Sequence, residues 1–390
     1  MDKFDEIVNR KNTHSLKYDF ALERGKNEDV LPLWVADMDF KCAPEIIEAL
    51  HKTIDQGIYG YSETKATDFK SMISWYQTHF NWTIQPKWII KTPGIVFALA
   101  MAIKAYTNKG DAVLIQQPVY YPFSEVINDN ERLLVNNALV LKDGHYEIDF
   151  VDFENKIREN DVKLFLLCSP HNPVGRVWTK EELIKMAEIC KKYQVKIVSD
   201  EIHSDFVYEP YQHHMLVSLK EEYQEFVITC TSPSKTFNLA GLQISHIVIP
   251  NEKLRAQFKK QVDAAGYSQV GLMGIVASQV AYEKGETWLT KLKAYLVSNI
   301  AYVKKYLEEN IPSIHLIEPE GTYLLWLDCR DLHLTNDQLE ELIVDKAKLW
   351  LDSGAIFGKD GEGFQRINVA CPRQTLTQAL VQLKEAVDSL

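Results

Sequence analysis

This 390-residue chain has little positive charge to spare: 54 Asp and Glu face 43 Lys and Arg, a formal net charge of −11 at pH 7. That balance argues against nucleic acid or an anionic membrane surface as the main partner. No stretch is apolar for long enough to span a bilayer. The first residues, Met1-Asp2-Lys3-Phe4-Asp5-Glu6, lack the apolar centre of a secretory leader, so a cytoplasmic location is expected. The six cysteines (42, 168, 190, 230, 329 and 371) form no CxxC pair. Cys168, Cys190 and Cys230 lie in or beside apolar core-like runs, and reduced, mostly buried thiols are the simplest reading. Asp37-x-Asp39 has no nearby His or third acid, so it reads as a turn and no metal is expected. Internal repeats and low-complexity segments are absent.

What is present is a large apolar core and a regular alternation. Hydrophobic residues make up 46% of the chain, and its length suits two lobes. Apolar runs at Ala112–Ile115, Val162–Cys168, Val195–Ser199, Phe226–Cys230 and Ile244–Ile249 read as strands, with helical segments between several of them. Thr179-x-x-Glu182 is a capping box for one such helix. Strands apolar throughout and alternating with helices predict a mostly parallel sheet covered on both faces, an α/β fold. Past Gly285, Leu289, Leu292, Leu296, Ile300, Val303 and Leu307 recur at helical spacing, closed by Asn310 and Pro312. That helix leads to a smaller α+β lobe with strands expected over Thr322–Leu327 and Phe364–Ala370 and a final helix. The expected division is 1–45, an N-terminal segment packing with the small domain; 46–285, the large domain; and 286–390, the small domain.

In parallel sheets, ligands bind outside the carboxyl ends of the strands. Three candidate residues fall there: Asn172 after one strand, Asp200 after the next, and Lys235 after a third. A lysine partly withdrawn from water has a lowered pKa and can attack a carbonyl to form a Schiff base. Gly94, before the apolar helix of Ile95 and Val96, offers free backbone N–H groups suited to phosphate. Tyr120 follows the strand ending at Ile115, and Gly57-Ile58-Tyr59-Gly60-Tyr61-Ser62 forms an aromatic loop bracketed by glycines. A Lys, an Asp, an Asn, small hydroxyls, a glycine-started helix and a tyrosine at one sheet edge suit pyridoxal phosphate. An anion beside its ring nitrogen keeps that nitrogen protonated and the ring electron-withdrawing.

These motifs carry a resemblance over essentially the whole chain. Trp34-Val35-Ala36-Asp37-Met38-Asp39-Phe40, Tyr59-Gly60-Tyr61, Ser169-Pro170-His171-Asn172-Pro173-Val174-Gly175, Asp200-Glu201-Ile202-His203, Ser234-Lys235-Thr236-Phe237-Asn238-Leu239-Ala240-Gly241 and Arg366-Ile367-Asn368 resemble fold-type I pyridoxal-phosphate enzymes of the aminotransferase superfamily. The most similar branch is that of the cystathionine β-lyases and cysteine C–S lyases. The resemblance implies that Lys235 holds the cofactor and moves the α-proton, with Tyr61 and Tyr120 as further catalytic residues. It also implies that Asp200 pairs with the ring nitrogen, Asn172 with the ring oxygen, and that Tyr120 stacks on the ring. Ser232, Ser234, His203 and the backbone at Gly94-Ile95-Val96 complete the cofactor site, while Arg366, Ala36 and Asn172 bind substrate. Tyr61 would reach the neighbouring subunit's cofactor in a homodimer.

The implied reaction is α,β-elimination from cystathionine, cysteine or a related sulfur amino acid, giving pyruvate, ammonia and a thiol or sulfide. A class I/II aminotransferase and a regulatory protein retaining the cofactor are the alternatives. Many aminotransferases carry an arginine eight residues after the lysine and a tyrosine three after the aspartate. Here those positions are Gln243 and His203, as in the lyase branch.

Overall fold

The computed structural model describes residues 3–390. Its centre is a seven-stranded sheet built from β1 (Ile89–Thr92), β2 (Ala112–Ile115), β3 (Leu133–Asn136), β4 (Leu164–Cys168), β5 (Lys196–Asp200), β6 (Val227–Thr231) and β7 (Ser245–Val248). The spatial order is β1-β7-β6-β5-β4-β2-β3. Strands β2 to β6 pair in parallel, while β7 runs antiparallel to both its neighbours. Every residue of β2, β4 and β6 is buried, as expected for strands covered on both faces. A smaller, wholly antiparallel sheet holds β8 (His315–Leu316), β9 (Leu324–Asp328), β10 (Asp352–Ser353) and β11 (Phe364–Asn368), in the order β8-β9-β11-β10. This is the mostly parallel, helix-covered sheet with a smaller second sheet anticipated from the alternation.

The sheet direction of β7 departs from a strictly parallel reading. A parallel crossover usually includes a helix long enough to carry the chain back along the sheet. Between Thr231 and Ser245 the chain instead makes a single helical turn and tight bends that present Lys235, and it re-enters the sheet from the near end. Strand limits also shift. Asp200 is not beyond β5 but its last residue, in register with Cys168 on one side and Cys230 on the other. Thr322 lies outside β9 because its backbone is drawn aside: its N–H donates to Phe206 O at 2.8 Å and its carbonyl accepts from Tyr208 Oη at 2.7 Å. Strand β11 stops at Asn368, whose side chain accepts from the Ala370 amide at 2.8 Å and bends the chain out of the ladder.

Helices carry the layers around the sheet. The helix α1 (Pro44–Asp55) starts with proline in its first turn, where the missing N–H costs nothing. The apolar α2 (Ile95–Tyr106) follows Gly94, and packs with seven buried residues against the sheet. In α3 (Lys180–Lys192) Thr179 and Glu182 form the capping box reciprocally. A single turn, α4 (Pro233–Thr236), is capped by the Ser232 hydroxyl. The 25-residue α5 (Glu286–Asn310) buries the leucine stripe read from the sequence, and α6 (Arg373–Asp388) closes the small sheet. Residues 3–30 form only short 3-10 turns, and Leu31–Pro32 pairs with Leu349–Trp350. All six cysteines are free thiols, and only Cys42 is not fully buried. Among the described residues no helix is long and apolar enough to cross a membrane.

The loop after β4 is fixed to the segment before β9 by a buried ion pair. Arg176 Nε donates to Glu320 Oε2 at 3.0 Å, and the same carboxylate accepts from the Val177 amide at 2.7 Å. Both side chains are buried. Glu320→Ala leaves Arg176 paired with Glu182 alone and leaves the Arg176 Nε and the Val177 amide without their acceptor, so stability falls by about 1–3 kcal/mol. An earlier midpoint in guanidinium unfolding checks this.

Candidate active site

Three adjacent parallel strands end side by side and deliver the predicted residues to one rim. Asp200 terminates β5, Asn172 lies four residues past β4, and Lys235 lies four past β6. Asp200, Asn172, His203, Ser232 and Arg366 are all buried, while Lys235 is half-buried. Arg366 joins them from the small sheet. Its Nη1 donates to Asn172 Oδ1 at 2.9 Å and its Nη2 to Trp34 O at 3.0 Å, and it forms an ion pair with Asp352 directly opposite on β10. The Phe357 ring lies 4.8 Å from the guanidinium carbon, and the buried Nε has no partner. The Tyr120 amide donates to Asn172 O at 2.9 Å, which sets Tyr120 beside the same group.

Lys235 Nζ donates to Ala36 O at 2.6 Å, and Tyr323 Oη donates to the same carbonyl at 3.1 Å. Burial pushes the Lys235 amine down to about 8; Asp37 pulls it back up, Arg366 pushes it further down and Asp200 opposes that. Burial drives Asp200 the other way, up to about 7, against the Ile202 amide that donates to it at 3.2 Å and the charge of Lys235. His203 is held neutral, its pKa driven down to about 3 by burial and then by the Lys235 and Arg366 charges. Burial also lifts the Tyr120 phenol well above its usual range. The rim thus keeps a near-neutral amine and a carboxylate that lacks a strong cationic partner.

Before the lysine turn, Ser232 Oγ bonds Ser234 Oγ at 2.8 Å and Ile244 O at 2.7 Å. The first turn of α2 has no side-chain cap, and a Cβ built on Gly94 would meet only open space. Gln243 is exposed and left-handed, with φ of 50°, so it adds no charge there. Tyr61 is not brought to this cluster within one chain: it is 96% exposed on the loop after α1.

A scan against family models matches residues 28–383 to aminotransferase class I and II. The chain belongs to that family. Among curated relatives, cystathionine β-lyase PatB of Bacillus subtilis is 39% identical over 98% of this chain and 99% of its own. Protein MalY of Escherichia coli is 31% identical over 99% of each. The crystal structure of cystalysin from Treponema denticola, which contains pyridoxal 5′-phosphate, superposes with a TM-score of 0.96 at 39% identity, covering 99% of this chain and 98% of that one. A pyridoxal-phosphate-bound C–S lyase from Staphylococcus hominis gives 0.92 at 31% identity, over 98% and 97%.

The residues of this family member fit that cofactor. A buried carboxylate with a raised pKa suits a ring cation, a desolvated amine suits an aldehyde, and the open Gly94 turn with its uncapped amides suits a phosphate. Several contributors were not singled out in the sequence. Tyr323 and Asp352 carried no readable signal, being ordinary residues of predicted strands or loops, and Asn238 stood inside the lysine motif without a role. Asn368 stood inside a quoted motif without a role, yet its Nδ2 donates to Val35 O and Asp37 O at 2.6 Å each. Asp37 and Asp39 are more than a turn: both pair with Arg10 and Lys17.

The raised Asp200 pKa has a stability consequence with a definite sign. Folded, the group titrates near 7; unfolded, at the ordinary carboxylate value of 3.8. Between those values the folded cofactor-free chain holds the extra proton, so this contribution to stability falls as pH rises from about 4 to 7. Asp200→Asn removes it. Relative to wild type, the cofactor-free variant gains thermal stability between about pH 5 and about pH 8, and paired melts at the two pH values check the difference.

Proposed function

We propose that this chain is a pyridoxal-phosphate-dependent carbon–sulfur β-lyase acting on cystathionine, cysteine or a related S-amino acid. The observation that carries the reading is the meeting of Lys235, Asp200 and the Asn172–Arg366 pair on one sheet rim. It is supported by full-length similarity to a cystathionine β-lyase. Bound pyridoxal phosphate supplies an aldehyde and a protonated ring that draws electrons from the substrate Cα.

The protein's own groups do the rest. With the cofactor bound, Asp200 would keep the ring nitrogen protonated, Asn172 would donate to the ring oxygen, and Tyr120 would pack against the ring. Ser232, Ser234 and the amides after Gly94 hold the phosphate. Arg366 clamps the substrate α-carboxylate in a geometry suited to two parallel N–H donors, with Asn172 and the Ala36 segment beside it. Lys235, poised near neutrality, takes the Cα proton, with Ala36 O as the acceptor that steadies its amine. The sulfur then leaves from Cβ, and hydrolysis of the remaining three-carbon unit yields pyruvate and ammonia. Elimination needs one proton abstraction and a leaving group; it needs no keto-acid acceptor and no arginine at Gln243.

The assembly is a homodimer in this reading. Ile54, Ile58, Tyr59 and Tyr61 are all exposed on and after the end of α1, and burying them against a second copy removes apolar surface from water. Tyr61 then enters the partner's site. A second reading, an aminotransferase, draws on the family description.

Incubating purified protein with L-cystathionine or L-cysteine, without any keto acid, is expected to release pyruvate. Strict dependence on a keto acid with no pyruvate would instead establish the aminotransferase. Lys235→Ala is expected to be colourless and inactive. Shared sites add a further outcome: Tyr61→Ala and Lys235→Ala chains, each inactive alone, regain roughly a quarter of wild-type activity when mixed and reassembled, since each hybrid dimer keeps one intact site.

A further inference from the structure

Every carbonyl from Trp34 to Met38 is held by a side chain. Trp34 O accepts from Arg366, Val35 O and Asp37 O from Asn368, Ala36 O from Lys235 and Tyr323, and Met38 O from Asn238 at 3.0 Å. This strap therefore touches both the amine and the carboxylate-binding arginine of the site. Its far side is fastened by charge. Arg10 Nη2 and Nη1 donate to Asp37 Oδ2 at 2.7 Å and Oδ1 at 3.0 Å, and Nη1 also reaches Asp39 Oδ1 at 2.7 Å. Lys17, fully buried, donates to Asp39 Oδ2 at 2.8 Å and lies 3.7 Å from Asp37 Oδ1. Four charges of zero sum join residues 10–17 to the strap, and nothing in the reaction uses them directly.

Building on the assignment of Lys235, we infer that the Arg10–Asp37 pair is a positioning device for that lysine: it fixes the strap carbonyl that receives the amine and sets the charge facing it. Asp37 adjoins Ala36 in the chain, so whatever anchors its carboxylate anchors the carbonyl beside it. Its carboxylate also acts on Lys235 through space. The groups facing that amine are Asp37 on the strap, Asp200 and His203 at the end of β5, Arg366 on β11 and Tyr323 before β9. Among the charges acting on the amine, Asp37 exerts the largest effect and favours the protonated form. Arg10 offsets part of that field. Burial would raise Asp37, yet the Arg10 hydrogen bonds and the Lys17 and Arg10 charges hold it below the usual carboxylate value, so it stays ionised.

Removing either partner therefore moves Lys235 in opposite directions. Asp37→Asn strips away a negative charge and lowers the lysine's pKa; Arg10→Gln leaves Asp37 offset by Lys17 alone and raises it. Arg10→Lys keeps the charge and leaves the value near that of wild type. The experiment uses the cofactor-free full chain: the rate of Lys235 acetylation by acetic anhydride is followed against pH by peptide mass spectrometry, with circular dichroism confirming the fold. The expected shifts are roughly half a unit or more each way, about a threefold change in free amine at fixed pH. A purely structural role would move both variants the same way. Shifts of one sign, or none in a folded Asp37→Asn chain, overturn the inference. Should Arg10→Gln not fold, the downward shift in Asp37→Asn, or its absence, decides alone. Labelling needs neither cofactor nor substrate, so an error in the lyase reading shows separately, as missing pyruvate.

Discussion

Desolvation at the carboxyl rim of the large sheet is the constraint on which the rest depends. It lowers Lys235 toward neutrality and raises Asp200 toward it, two opposite displacements with one cause. Left to themselves, an amine and a carboxylate brought together would form an ion pair and lose their reactivity. Here Lys235 donates instead to a neutral carbonyl, Ala36 O. Asp200 is left facing the rim with a single weak backbone donor. The protein forgoes stability at this rim so that each group stays available, the expected pattern where function overrides local energetics.

Maintaining that arrangement calls on distant segments. The seven-stranded sheet sets Asp200 and the two flanking loops in fixed register. Strand β11 brings Arg366 from the small sheet to Asn172, so the two residues proposed for the substrate carboxylate and the cofactor oxygen touch each other. The N-terminal strap closes the other side and is itself fastened by buried charges. Large sheet, small sheet and N-terminal segment thus meet at one amine, which explains why the sequence motifs are scattered over more than three hundred positions.

The cofactor rim was legible because strands buried on both faces are unbroken apolar runs, and chemistry-bearing residues interrupt them abruptly. Asn172, Asp200 and Lys235 stand out for that reason. The capping box at Thr179 and the leucine stripe of α5 were equally plain, since both are local patterns. What stayed hidden depends on contacts between segments far apart in sequence. The reversed direction of β7 follows from a connection that holds only short turns and no helix long enough to cross the sheet. Asp352 and Tyr323 matter only because β10 and the turn before β9 fold back to the site. Lys17 looks like any lysine of a polar N-terminus, and its complete burial goes with Asp37 and Asp39, 20 and 22 residues further along the chain. The role proposed for Tyr61 needs a second chain, which no pattern within one sequence displays.

The most direct test of the central claim is chemical trapping. The chain is mixed with pyridoxal phosphate, reduced with borohydride, digested and mapped by mass spectrometry. The account predicts a pyridoxyl group on Lys235 alone, formed in wild type and much reduced when Asp200 is replaced by asparagine. Labelling spread over surface lysines, or a label on Lys235 indifferent to Asp200, would contradict it.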